Sequence, residues 1–283
     1  MTSGSVLSRS RRAVPAHAGR RASAGRENPG GAVDAATPSA ARMYDYMLGG
    51  KDNYAPDRDL ADRALLAAPV LSRLVRVNRA FLRQATRHLA GQAGIRQFLD
   101  IGCGLPAGDD VGQTVRTAAP GSRVVYVDND PMVLSHARAL LAVDGDTDAV
   151  AADLRDPAGI VRHPEVTALI DFSEPVGVLL LSVLHSLTDA EDPRGIVARL
   201  LAGLPPGSHV VVSHAERTPG LDAVAELYQE ADVPFAPRTR EEIAVLSAGL
   251  EPVGADPALP LPGHGRRINA EVPLIGSIGR KPA

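Results

Sequence analysis

The chain has 283 residues, 45% of them hydrophobic and 22% charged. That is the balance of one large globular domain, or one domain with appendages, rather than of a disordered, collagenous or coiled-coil chain. A net charge of −3 and an aromatic content of 3% argue against nucleic-acid binding through bulk charge or a base-stacking platform. The single cysteine, Cys103, excludes an internal disulfide framework and a cysteine-rich zinc site. The longest largely apolar run, 176–184, has the length of a buried strand and falls far short of the roughly 20 residues of a membrane span.

Residues 1–37 stand apart. They hold six arginines against Glu27 and Asp34, so this segment carries +4 and the rest of the chain −7. With almost no large aliphatics, the segment cannot offset the entropy of ordering. A disordered tail or an over-long reading frame is expected, ahead of the organelle transit peptide that its Arg- and Ser-rich, acid-poor start suggests. It has no apolar stretch of the secretory kind, so a cytoplasmic location is expected.

From Pro38 the pattern turns helical. Ser39 is placed to cap a helix over 40–48, which Gly49-Gly50 would end. Residues 57–67 and 71–91 follow as helices, the second with Leu71, Leu74, Val75, Asn78, Phe81, Leu82, Ala85 and Leu89 at helical spacing. Strands and helices then alternate. Strands are expected at 97–101, 123–128, 149–153, 176–184 and 209–213. Helices are expected at 111–118, 132–142 behind Pro131, 157–171 with Pro164 interrupting, 192–204, 223–231 and 239–249. Late strands fall at 250–254 and 273–279. Strand and helix in series imply an α/β fold, a mostly parallel sheet with helices on both faces.

Ligands of such sheets sit outside the carboxyl ends of the strands, at the switch point. The first strand ends in FLDIGCGLP, placing Asp100 before Gly102 and Gly104, which let a backbone turn approach a ligand closely. The second ends in VVYVDNDP, so Asp128 can accept both hydroxyls of a ribose, while Asp130 before Pro131 is the better helix cap. The third ends in AADLRDP, where Asp153 can meet an exocyclic amine. The fourth gives LLLSVLHSL, with Ser182 and His185 near the place of a second substrate. A dinucleotide fingerprint would put a third glycine at position 107, which is Ala107. Asp100 would repel a diphosphate but attract an ammonium. D-x-G-x-G followed by an acid closing the next strand is the spacing of an S-adenosylmethionine site. Cys103 is expected as a small buried filler. No ligand-spacing motif supports a metal between His185 and His214, so no metal is expected.

The segments PSAARMYDYMLGGKDNYAPDR, VNRAFLRQATRHLA, GIRQFLDIGCGLP, VVYVDNDPMVLSHARALL, ADLRDP and LLLSVLHSL together resemble a bacterial S-adenosylmethionine-dependent methyltransferase family long catalogued only as a domain of unknown function. The resemblance runs from about Pro38 to the C-terminus, and YDYxLGGKDN is its distinctive motif. It implies the class I methyltransferase fold, Rossmann-like, with a seven-stranded sheet whose last strand, 273–279, inserts antiparallel. The expected organisation is a tail over 1–37, a helical cap or lid over 38–95 and a cofactor-binding core over 96–283. Three stretches depart from the family's pattern: AGDDVGQT after the glycine turn, Ser186-Leu187 after the fourth-strand histidine, and 251–270.

The residues assigned to S-adenosyl-L-methionine are Asp100, Gly102, Gly104, Asp128, Asn129, Asp153, Leu154 and Ser182. Tyr44 and Asn53 join them from a lid over 42–54, whose tyrosines are suited to cation–π contact with a sulfonium. If the acceptor is a hydroxyl or an acid, His185 or Asp45 would take its proton. The expected partner is a small-molecule methyl acceptor, with no nucleic acid and no membrane. Two alternatives remain: a non-catalytic S-adenosylmethionine-binding or regulatory module, and, disfavoured by Asp100, an NAD(P)-dependent oxidoreductase.

Overall fold

The computed structural model describes residue 1 and residues 33–108, 110–253 and 265–283. Most of the expected tail, residue 109 and residues 254–264 therefore lie outside the described residues. The architecture below is that of the unit Ala32–Ala283.

Eight strands are found among the described residues: β1 (Gln97–Ile101), β2 (Arg123–Asp128), β3 (Thr147–Ala151), β4 (Gly177–Leu181), β5 (His209–Ala215), β6 (Glu251–Val253), β7 (Arg266–Arg267) and β8 (Leu274–Arg280). They form one sheet in the order β3-β2-β1-β4-β5-β8-β6, with β7 also paired to β8. In β1, β4 and β5 every residue is buried, as an apolar run without alternation requires when helices cover both faces. Leu99 pairs with Val125 on one side and Val178 on the other, both parallel. The chain leaves β1 in one direction for β2 and β3, then returns across β1 to lay down β4 and β5. The switch point therefore lies between β1 and β4. Strand β8 runs antiparallel between β5 and β6, with Ile278 opposite both Val211 and Val253. This is the expected fold, with the two-residue β7 added.

Helices α1 (Ala40–Met47), α2 (Ala55–Ala67) and α3 (Leu71–Gly91) precede the sheet. Helices α4 (Val111–Ala118), α5 (Pro131–Leu140), α6 (Pro157–Arg162), α7 (Pro164–Leu169), α8 (Pro193–Ala202), α9 (Pro219–Glu230) and α10 (Arg240–Leu246) are threaded through it. Helices α5, α6 and α8 start from Asp-Pro. The aspartate accepts a backbone N–H of the first turn, as Asp130 does from Met132 at 2.8 Å, and the proline fills a position whose N–H has no partner. Leu99, Val125, Val178, Ile160, Val166, Leu200 and Leu246 cluster on one sheet face. Phe98, Val124, Tyr126, Val115, Ala137, Phe81 and Leu89 cluster on the other.

A third cluster joins Met43, Leu60, Ala64, Leu74 and Val75 to Leu221, Val224 and Tyr228 of α9. Helix α3 thus has two duties: Leu71, Leu74 and Val75 pack within the helical layer, whereas Phe81, Leu82 and Ala85 pack on the sheet. Within the segment 38–95 the first part therefore packs in the helical layer and the last part on the sheet.

Several boundaries move, each for a local reason. The fourth strand stops at Leu181, not at 184, because Ser182 turns to φ 55° and residues 184–186 form a 3-10 turn. The third strand lies two residues earlier than expected, leaving Asp153 in the loop after it. Pro164 divides 157–171 into two helices, and α9 begins at Pro219 rather than at 223. Ser39 occupies the N-cap of α1, but its hydroxyl donates to Asp130 Oδ2 at 2.8 Å instead of accepting from the helix. Among the described residues no helix is long and apolar enough to cross a membrane.

Candidate active site

A cavity of about 470 Å³ opens at the carboxyl ends of β1–β4, under α1 and α3 and beside residues 228–235. Its size is that of an ordinary small-molecule site, about 300–1,000 Å³. Its walls include Tyr44, Asp100, Gly102, Gly104, Asp128, Asn129, Asp153, Leu154, Ser182 and His185. Of the residues singled out from sequence, Asp45 and Asn53 are not on these walls.

One end of the cavity is built from glycines and acids. Gly102 (φ 72°) donates its N–H to Val127 O at 2.8 Å and lies so close to β4's exit that a Cβ would meet Val183 Cγ2 at 2.4 Å. Only glycine closes the switch point in that conformation. Gly104 (φ 66°) has nothing within 4 Å of where a Cβ would stand, so its backbone faces open space. Its N–H donates to Asp128 Oδ2 at 3.0 Å, while Asp128 Oδ1 accepts from Asp130 N at 3.0 Å. The turn after β1 and the loop after β2 thus fix Asp128 between them. Burial pushes the Asp128 carboxyl up to about 6, against the pull of those N–H groups.

Asp100 is pushed up to about 7, again by burial first. The Arg79 guanidinium pulls it back, and Asp128 and Asp110 push it further. The Cys103 thiol, buried beside Asp128 and Asp100, is pushed well above its ordinary value, which leaves it a protonated filler rather than a nucleophile. Asn129 donates to Asp153 Oδ2 at 2.9 Å, and Arg155 pairs with Asp153 and Glu191.

The other end is apolar and aromatic. His185 sits on the 3-10 turn after β4, with Phe235 edge-on at 5.0 Å and His214 edge-on at 5.5 Å. Its Nδ1 accepts a long bond, 3.5 Å, from Ala215 N. Burial, with His214 and Arg238 adding to it, lowers its pKa well below the ordinary imidazole value, so the ring is neutral. His214, the other histidine noted from sequence, is fully buried and off the cavity. Its Nδ1 pairs with Ala215 O and its Nε2 accepts from Arg238. No cluster of metal-binding side chains occurs among the described residues.

Asp45 and Asn53 have a local structural role. Asp45 Oδ2 accepts from Asp52 N and from Asn53 Nδ2, both at 2.9 Å, and Gly50 packs where any Cβ would strike the Asp45 carboxylate. The YDYxLGGKDN motif thus folds its second half into a carboxylate-centred loop, while its first half, through Tyr44 and Met47, reaches the cavity. Tyr46 points elsewhere, donating to Asp62 at 2.9 Å.

Sequence reasoning missed Arg79, Asn78, Tyr228 and Phe235, all on the cavity wall. In sequence Asn78 falls within the apolar stripe of α3, yet it is the hub of a buried chain. Ser182 N donates to Ser213 Oγ, Ser213 Oγ to Asn78 Oδ1, Asn78 Nδ2 to the Tyr44 hydroxyl, and that hydroxyl to Val75 O. An amide interrupting a long apolar stripe was the available signal.

Comparison with known proteins defines the class. The profile of the S-adenosyl methyltransferase family matches residues 26–259, and the chain belongs to that family. A candidate methyltransferase from Thermobifida fusca is 39% identical, with a TM-score of 0.80 over 88% of this chain and 97% of its own. A DUF574 family protein from Streptomyces avermitilis is 37% identical, also with a TM-score of 0.80, over 88% of this chain and 99% of its own. No curated protein sequence matches.

Proposed function

We propose that the chain binds S-adenosyl-L-methionine at the acid-and-glycine end of the cavity and transfers its methyl group to a small molecule held at the aromatic end. The observation that carries this is the convergence of Asp100, Asp128 and Asp153, from three successive strand ends, on one cavity floored by open glycine backbone. The residues fit the cofactor on their own chemistry. Each Asp128 oxygen uses one acceptor direction on a backbone N–H, leaving others for ribose hydroxyls. Asp100, held near neutrality by burial, suits an arriving ammonium that takes over the proton's compensating role. Arg79, close enough to act on Asp100, suits the carboxylate of the same amino-acid group. Asp153 and Leu154 would flank the adenine. A diphosphate cofactor would instead meet uncompensated acids.

When bound, the cofactor supplies an electrophilic methyl carbon on a cationic sulfur. The protein's part is to hold donor and acceptor aligned about 3–3.5 Å apart and to exclude water. Isothermal titration with S-adenosylmethionine and S-adenosylhomocysteine tests the reading. Asp128→Ala should weaken either by about 1.5–3 kcal/mol, the worth of a hydrogen bond to a charged group, in a protein whose melting curve stays cooperative. Unchanged affinity in the folded variant would overturn it.

A further inference from the structure

The aromatic end of the cavity is specific enough to name an acceptor class, an inference that rests on the methyltransferase reading. In a chain with five tyrosines, four phenylalanines and no tryptophan, Tyr44, Tyr228 and Phe235 all line this cavity. Phe235 packs edge-on against His185 and tilted at 5.5 Å against Tyr228, so the two rings form a continuous wall. Rings arranged this way favour a flat π-system over a branched aliphatic one.

The polar groups at this end are matched to one kind of atom. The Tyr44 hydroxyl and both ends of the Asn78 amide are occupied by each other, Val75 and Ser213. Ser182 Oγ is buried with no hydrogen-bond partner, on a residue held at φ 55°. A serine kept in a strained conformation with an orphaned hydroxyl is the pattern of a group waiting for a ligand. His185 Nδ1 takes the Ala215 N–H, which puts the neutral ring's proton on Nε2. The His185 Nε2–H can only donate, the Ser182 hydroxyl can donate as well as accept, and Asp232, the one carboxylate on this side, is exposed.

We propose that this end receives a hydroxyaryl acceptor, with its ring against Phe235 and Tyr228 and its oxygen between Ser182 and His185, and that the reaction is O-methylation. Two donors stabilise an aryloxide oxygen. An amine is served less well: the His185 N–H would compete for its attacking lone pair, and no buried carboxylate at this end meets its cationic product. An alkanol would require a strong base, and His185 is not one, lying in a buried, Arg238-facing position. An aryl hydroxyl, with a pKa of about 10 as in tyrosine, gives its proton to solvent on entering the cavity beside a cationic sulfur, before water is excluded. The aryloxide oxygen then forms the O–CH3 bond as the C–S bond breaks, with the electron pair remaining on sulfur, to give an aryl methyl ether and S-adenosylhomocysteine.

The test is a matched set on one ring: naphthol, naphthylamine and naphthylmethanol, each offered with methyl-labelled S-adenosylmethionine to the full chain, and each titrated calorimetrically into its S-adenosylhomocysteine complex. Label transfer to naphthol alone, with saturable naphthol binding, is expected. Phe235→Ala should lower kcat/KM for naphthol about tenfold, toward the upper end of an aromatic contact's worth, while leaving S-adenosylhomocysteine affinity unchanged. Preference for the amine or the alkanol, absence of naphthol binding, or an equal naphthol response in Phe235→Ala overturns the acceptor class. Failure of S-adenosylhomocysteine itself to bind would instead overturn the cofactor reading, and the same calorimeter distinguishes the two.

Discussion

Asp100 and Asp128 set protons and cofactor in competition. Both carboxyls, near 7 and 6 in the folded protein, lie above the 3.8 of an unperturbed aspartate. Between those values the folded protein holds protons that the unfolded chain has released. Their contribution to stability is therefore complete below about pH 4 and disappears as pH rises through 6 and 7. Cofactor binding reverses the preference, because an ammonium and ribose hydroxyls favour the ionised forms. Affinity for S-adenosylhomocysteine should accordingly rise roughly tenfold to a hundredfold from pH 5.5 to 7.5, with protons released on binding near pH 6.5. Calorimetry in two buffers of different ionisation enthalpy measures both, and a flat profile would exclude these carboxyls from the site. Ser182 offers a second test. Glycine relieves the positive φ and removes the orphaned hydroxyl, so Ser182→Gly should leave stability unchanged or raise it by about 1 kcal/mol. The same substitution should reduce methyl transfer, and a measurable loss of stability with full activity would show that the residue is merely structural.

The 3-10 turn that carries His185 is held by the fully buried Leu184 and by one buried charged side chain. Arg238 donates to Leu184 O at 3.1 Å, to Leu187 O at 2.8 Å, to Asp189 and to His214 Nε2. Arg238→Met keeps the volume but leaves those carbonyls unpaired in the interior. It should cost about 1–3 kcal/mol for each carbonyl left without a donor, read from urea unfolding; a loss below about 1 kcal/mol in total would show that the turn holds itself. Nothing in the sequence marks this role, since Arg238 reads there as an ordinary charge before the helix expected over 239–249. That the strand-end acids and glycines converge on one cavity was legible because their placement depends on position along short chain segments. The chain from Ser182 to Tyr44 was not, because it joins residues more than 100 apart that only the sheet order brings together. Asp45 and Asn53 were legible as a motif but not in their role: hydrogen-bonding residues near a site look alike in sequence whether they face the ligand or hold the loop beside it.

At the scale of the molecule, α1 ties the helical layer to the sheet across the cavity. Its N-terminus is held by Ser39 to Asp130 at the cap of α5, and its middle by Tyr44 to Asn78 and on to Ser213 of β5. Arg42 also pairs with fully buried Asp57 at 2.7 Å, fastening α1 to α2. Helix α1 is therefore roof and fastening at once, not a free flap. A ligand beneath it should stabilise both the fold and this helix. At one hundred times its Kd, S-adenosylhomocysteine should raise global stability by about 2.7 kcal/mol. Amides of α1 that exchange by local opening should slow more than those of α8, which borders the opposite sheet face and exchanges only with deeper opening. Hydrogen exchange with and without S-adenosylhomocysteine resolves the two helices. If α1 is no more protected than α8 while the melting temperature still rises, the ligand binds without the roof, and Tyr44 belongs to the scaffold alone.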